Sequence, residues 1–169
     1  MLLKDFFPNI DKKFQNFKFS GIAFNSKEVK KNYIFFAIKG SKVDGNKYIY
    51  EAISKGSRIV VTSSIKQTFK NNILFLKHKN PRQLLSIVSS KLYKKKPRNL
   101  IAVTGTNGKT SIANFYYQIL KKNNKKAAYF GTLGISGKSV LNKVSNTTLD
   151  PISIGKNLTN LKKKKFNNV

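Results

Sequence analysis

Residues 105–111, Gly-Thr-Asn-Gly-Lys-Thr-Ser, bring two glycines, an ammonium group and three hydroxyls into seven positions. Between a strand and a helix, such a stretch presents backbone N–H groups at the helix N-terminus. Those donors and the helix dipole favour phosphate oxygens. Lys109 adds a point charge suited to β- and γ-phosphates, and Thr110 adds a hydroxyl able to ligate Mg²⁺. The chemistry these residues predict is the holding of a nucleoside triphosphate, with Lys109 as the catalytic cation.

The spacing narrows the prediction. The general phosphate-loop pattern has four residues between its first glycine and the Gly-Lys pair. Gly105 leaves two, and Val103 stands where that pattern wants glycine. A shorter form, Gly-x-x-Gly-Lys-Ser/Thr, is met here and again by Gly134, Ile135, Ser136, Gly137, Lys138 and Ser139. Context separates the two. The first follows the apolar run "NLIAVTG" and opens a helix with Ile112, Phe115, Tyr116, Ile119 and Leu120 on one face. The second precedes "VLNKVSNTT", too short and polar for a core helix, and is predicted to be a surface turn.

The elements around the loop alternate. Strands are predicted at 33–38, 58–63 and 73–77, where apolar and β-branched residues run together. A helix between the first two has Asn46 as its cap, carries Ile49, Ala52 and Ile53 on one face, and ends at Gly56. Another starts with Asn80 as cap and Pro81 at its first position, with Leu85, Val88 and Leu92 on one side. The charged, proline-bearing stretch 94–99 marks a boundary between domains 1–96 and 97–169. Beyond the loop helix come a strand at 125–132, a loop or hairpin, and a helix capped by Asp150 with Pro151 first. That helix puts Ile154, Leu158 and Leu161 in phase, although Gly155 weakens it. "FNNV" at 166–169 reads as a strand beginning. The class is α/β with a mainly parallel sheet.

Composition sets the bounds. The chain has 169 residues, 40% of them hydrophobic, and no cysteine, so it can build a core and has neither disulfides nor thiolate metal sites. No apolar run is long enough for a membrane span and no signal-peptide pattern opens the chain, so the cytoplasm is the expected location. The net charge is +28, almost all of it lysine, with arginine only at positions 58, 82 and 98. Phosphate forks favour arginine. The lysines are scattered, so a general lysine bias accounts for the charge and a nucleic-acid partner is not expected.

"VTGTNGKTS" resembles the ATP loop of the Mur ligases, the amide-forming enzymes of peptidoglycan precursor synthesis. "GTLG" at 131–134 with "SNTTLDP" at 145–151 resembles the substrate segment of the MurE type, which adds the third amino acid to UDP-N-acetylmuramoyl-L-alanyl-D-glutamate. "FNSKEVKKNYIFFAIKGSKVDGNKYIYEAISKGSRIVV" resembles the uridine-binding N-terminal domain of that family. Asn25, Ser26 and Lys27 stand there for the usual Asp-Ser-Arg.

The resemblance implies a small α/β UDP-binding domain followed by the first half of a P-loop ATPase domain. It implies that Gly105, Thr106, Asn107, Gly108, Lys109, Thr110 and Ser111 hold ATP, with Thr110 on Mg²⁺. Phe24, Ser26, Ser41, Lys42 and Val43 would lie near the UDP moiety, and Asn146, Thr147 and Thr148 would contact the muramoyl dipeptide. The third substrate would be a diamino acid. The implied reaction makes an acyl phosphate, which the incoming amine displaces, with positioning and charge neutralisation carrying the first step.

The family's metal-holding glutamate, its carbamylated lysine and its amino-acid-binding domain would lie beyond Val169. A truncated ligase that does not turn over alone is therefore the expectation. Of the six acidic residues only Asp150 follows the loop, and it reads as a helix cap. His78, the single histidine, is given no role. Two other readings stand beside this one: a self-sufficient P-loop nucleotide-binding protein, and a cationic nucleic-acid-binding module.

Overall fold

The structure is a computed structural model that describes residues 1–40, 43–131, 134–136 and 149–169. The chain divides into two compact units, Met1–Lys91 and Leu92–Val169. The sequence places its boundary at 96/97. The charged stretch 94–99 lies in the second unit because Tyr93, just before it, packs against Gly155 there.

The first unit is built on a five-stranded sheet. Strands β1 (Gly21–Ala23), β2 (Tyr33–Phe36), β3 (Ile59–Thr62), β4 (Thr68–Lys70) and β5 (Ile73–Lys77) lie in the order β1-β2-β3-β5-β4. All pairs are parallel except β4 with β5. Parallel strands are covered on both faces and so read as continuous apolar runs. Ile34, Phe35, Phe36, Ile59, Val60 and Val61 are all buried, which is why the sequence locates β2, β3 and β5. The edge strand β4 is exposed throughout and carries no apolar run to betray it; β1 spans only three residues. Neither is legible in advance.

Helix α1 (Ile49–Ser54) covers the sheet face that holds Phe35 and Val60, with Ile49 and Ala52 buried against them. Its start differs from expectation. A 3-10 turn, Gly45–Tyr48, precedes it, and the cap is Asp44, whose carboxylate accepts from the Asn46 backbone N–H at 2.9 Å. The Asn46 side chain is used elsewhere: its Nδ2 donates to Asp44 at 2.7 Å and its Oδ1 accepts from the Thr62 hydroxyl at 2.7 Å. Helix α2 (Pro81–Leu92) starts as expected. Asn80 Oδ1 accepts from the Gln83 N–H at 3.0 Å, and Leu85 and Val88 are buried.

The second unit contains helix α3 (Lys109–Lys122), strands β6 (Tyr129–Gly131) and β7 (Gly134–Ser136), and helix α4 (Pro151–Lys163). β6 and β7 pair antiparallel, so the second Gly-x-x-Gly-Lys-Ser begins in a strand rather than a turn; its residues 137–139 lie outside the described residues. Residues 99–101 run parallel to 167–169, with Asn99 N donating to Asn167 O at 2.8 Å and Ile101 N to Val169 O at 2.8 Å. On the other side Ala128 N donates to Asn168 O at 3.0 Å. The strand expected over "NLIAVTG" is thus only partly formed. Its ladder with 167–169 spans Asn99 to Ile101.

α4 begins at Asp150, whose carboxylate accepts from Ile152 N and Ser153 N at 2.9 and 3.0 Å. Leu158 and Leu161 are buried with Ile152, while Ile154 is half-buried. Gly155, the expected weak point, is a close approach: a Cβ there would fall 2.8 Å from Tyr93 Cγ and 3.0 Å from its Cβ.

Candidate functional site

The loop before α3 is where the spacing of its glycines matters most. Gly105 has φ 152° and Gly108 φ 78°, both in territory that L-residues avoid. A Cβ on Gly108 would meet only Ile112 Cδ1 at 4.0 Å. The need for glycine there is therefore conformational, not a matter of space. Gly108 is the N-cap of α3, and no side chain caps the helix. The first turn of such a helix carries N–H groups without intrahelical acceptors and the positive end of the dipole.

The Lys109 ammonium folds back over the loop, donating to Gly105 O at 2.6 Å and Thr106 O at 2.9 Å. Residues 105–108 and Ser111 are exposed; Lys109 and Thr110 are half-buried. Strand β6 ends beside this turn, with Thr110 Cγ2 3.9 Å from where a Gly131 Cβ would sit. Gly105, Thr106, Asn107, Gly108, Lys109, Thr110 and Ser111 are thus brought into one exposed loop and helix turn. An anion seated there would meet backbone donors and an ammonium group together.

α3 departs from the expected one-sided helix. Ile112, Phe115 and Ile119 are 55%, 62% and 59% exposed, while Ala113, Tyr116, Tyr117 and Leu120 are half-buried. The Tyr117 ring lies tilted against that of Tyr129 of β6, with centroids 5.4 Å apart. The apolar residues thus occupy two faces, of which the sheet takes one.

In the first unit Phe24 and Ser26 directly follow the carboxyl end of β1. Phe24 is 36% and Val43 54% exposed; Ser41 and Lys42 lie outside the described residues, as do Asn146, Thr147 and Thr148. Ser26 is buried. Its hydroxyl donates to Glu51 Oε2 at 2.8 Å, and the other oxygen of Glu51 accepts from Lys55 Nζ at 2.6 Å. Asn25 accepts from the Lys27 N–H at 3.0 Å. Sequence reasoning missed Glu51. A carboxylate with a lysine four residues on was the available signal, but nothing local ties it to Ser26.

Hydrogen bonds from Lys55 and then Ser26 hold the Glu51 carboxyl below its ordinary value of about 4.5. A depressed carboxyl stabilises the fold fully above its unfolded pKa and loses that effect as pH falls through the folded one. The melting temperature of the native chain should therefore exceed that of Glu51→Gln near neutral pH. The gap should close as the solution is acidified below about pH 4.5. Thermal melts of both chains between pH 3 and 7, on a scale of roughly one pH unit per step, measure it; a gap independent of pH would contradict the assignment.

Among the described residues, no group of three or more His, Asp or Glu side chains is placed to hold a metal, and no helix is long and apolar enough to cross a membrane. His78 accepts the Asn80 N–H through Nδ1 at 3.1 Å, a local turn contact.

Comparison with known proteins bears on both units. Residues 18–107 match the Mur ligase family catalytic domain, and residues 103–169 the Mur ligase middle domain. The chain is similar to the UDP-N-acetylmuramoyl-L-alanyl-D-glutamate--2,6-diaminopimelate ligase of Rickettsia typhi, 38% identical over 157 residues, covering 90% of this chain and 32% of that protein. It is 38% identical over 141 residues to the enzyme of the same name from Rhizobium meliloti, covering 83% and 29%. The chain therefore spans about a third of the length of the curated relatives it matches. A solved structure of a ligase of that name superposes with a TM-score of 0.79 at 24% identity, covering 99% of this chain and 34% of the other. MurF ligase from Thermotoga maritima in complex with ADP gives 0.53 at 24% identity, covering 79% and 28%. At that identity the two structures bear on fold alone.

Proposed function

The chain belongs to the Mur ligase family, and on that premise we propose that it forms the UDP-substrate-binding and phosphate-binding portion of an ATP-dependent, amide-forming ligase. The reaction is addition of the third amino acid, a diamino acid, to UDP-N-acetylmuramoyl-L-alanyl-D-glutamate in the cytoplasm. The observation that carries this reading is the glycine loop: positive φ at Gly105 and Gly108, an uncapped helix start, and Lys109 over the loop.

In this reading residues 105–111 hold the ATP phosphates. Lys109 exchanges the Gly105 and Thr106 carbonyls for phosphate oxygens, a charge-assisted contact that is about twice as strong as a neutral one. Thr110, half-buried in the first turn, is the residue suited to Mg²⁺. ATP supplies the phosphoryl group that activates the acceptor carboxylate. The first unit delivers that acceptor, with Phe24, Ser26 and the 41–43 loop around the uridine diphosphate. Asn146, Thr147 and Thr148 hold the muramoyl dipeptide. Glu51 fixes the Ser26 hydroxyl as a donor to its carboxylate, so that Ser26 presents only acceptor lone pairs to a ligand.

Calorimetric titration of the chain with UDP-N-acetylmuramoyl-L-alanyl-D-glutamate tests the first half of this assignment. Saturable binding, weakened by Ser26→Ala while ATP binding is unchanged, is the expected result. Heat no greater than that of dilution would remove the uridine-site assignment.

A further inference from the structure

Two residues on different elements share the Glu51 carboxylate. Ser26 opens a 3-10 turn, Ser26–Glu28, just after β1, and its hydroxyl donates to Oε2 at 2.8 Å. Lys55, one helical turn on from Glu51, donates to Oε1 at 2.6 Å. The place of each hydrogen follows from the chemistry of the groups. An ammonium group has donors only, and an ionised carboxylate has acceptors only. Hydrogen bonds from Lys55 and then Ser26 favour the ionised form, so Glu51 is a carboxylate near neutral pH. The Ser26 proton therefore lies on the line to Oε2, and the Ser26 oxygen has only lone pairs left to offer.

Lone pairs select among the parts of a nucleotide. Phosphate oxygens are themselves acceptors and gain nothing from them. The uracil ring carries an N–H between its two carbonyls, whereas the matching ring nitrogen of cytosine carries no hydrogen and accepts. Phe24, exposed and two residues before Ser26, supplies an aromatic surface on which a base can stack. We propose that Glu51 is a positioning residue for the choice of base: it makes the Ser26 hydroxyl an acceptor for the ring N–H of uracil and so discriminates against cytosine. This rests on the assignment of Phe24 and Ser26 to the uridine site.

Lys55 gives the proposal a reversible form. In Glu51→Gln the side chain keeps its shape but has one acceptor oxygen and one NH₂ donor group. Lys55, a donor only, requires the oxygen. The NH₂ group then faces Ser26, whose oxygen accepts from it, and the hydroxyl proton is released toward the ligand. The substitution thus reverses the polarity of Ser26. A released proton suits the accepting ring nitrogen of cytosine and opposes the N–H of uracil. Removing the ammonium as well, in Glu51→Gln with Lys55→Met, lets the amide turn its oxygen back to Ser26.

Calorimetric titration with UDP, and displacement of UDP by CDP, give the ratio of the two affinities. The native chain should favour UDP by roughly tenfold or more, the effect of one hydrogen bond whose loss leaves a buried polar group unpaired. Glu51→Gln should lower that ratio by roughly tenfold. Lys55→Met alone should leave it within about twofold, since Glu51 still takes the Ser26 proton there. The double variant should recover most of the native ratio. Should Glu51→Gln not fold, Glu51→Ala, which frees the hydroxyl to turn either way, should likewise bring the ratio toward one. A turn merely loosened by substitution would weaken both nucleotides alike. A ratio unchanged in the Glu51 variants, or a native ratio near one, overturns the proposal. Ser26→Ala separates this inference from the reading beneath it. If it weakens UDP binding while the Glu51 variants keep the ratio, this inference alone fails. If it leaves UDP binding unchanged, the uridine-site assignment fails and takes the inference with it.

Discussion

Lys109→Ala is expected to weaken ATP binding by roughly ten- to a hundredfold, because a hydrogen bond to a charged group contributes about 1.5–3 kcal/mol. The loss should fall on binding and not on folding. The lysine bonds two carbonyls of an exposed loop, Gly105 and Thr106, and water can replace it at both. The melting temperature should therefore hardly move, while calorimetry shows the affinity loss. The same variant separates the ligase reading from that of a cationic nucleic-acid binder. It takes the net charge from +28 to +27, a change that leaves a phosphate-driven, salt-dependent grip on DNA almost intact. Equal losses of ATP and DNA affinity would remove the loop from the account. Unchanged ATP affinity would do so more simply.

Gly155→Ala carries the largest expected effect on stability, and its sign runs against propensity. In a helix interior alanine is normally favoured over glycine by about 1 kcal/mol. Here the added methyl would collide with the root of the Tyr93 side chain, at 2.8 Å from Cγ and 3.0 Å from Cβ. Neither atom can swing aside as the end of a long side chain could. Overpacking of this kind costs about 1–3 kcal/mol. For a unit of this size that lowers the melting temperature by roughly 5–15 °C. Tyr93→Ala combined with Gly155→Ala should recover part of the loss, since contacting residues are non-additive. A Gly155→Ala chain that melts at or above the native temperature would show that the helix and Tyr93 do not meet as described.

What could be read from the sequence follows the range of the forces involved. Buried parallel strands announce themselves through uninterrupted apolar runs, so β2, β3 and β5 were legible, as were the starts of α2 and α4 from Asn80-Pro81 and Asp150-Pro151. The glycine turn before α3 was legible because its requirements are local: positive φ at two glycines and a lysine at the first helical position. Three features were not local. Ser26 and Glu51 are 25 residues apart and meet only through the sheet. Asp44 outcompetes Asn46 as a cap because Asn46 is engaged by Thr62 from a neighbouring strand. Gly155 reads as a weakness in isolation and is a requirement once Tyr93 lies against it. The apolar stripe of α3 was visible as periodicity, but periodicity carries no information on how much of a stripe has a partner. Ile112, Phe115 and Ile119 remain exposed.

Amide resonances of residues 105–111, followed while Mg-ATP is added to the chain, test the central claim most directly. The account predicts that the largest shifts cluster at Gly105 through Ser111 and saturate together, with the exposed lysine run 162–165 almost unmoved. Shifts spread over the lysines and diminishing as salt is raised, with the loop no more affected than the rest, would contradict it.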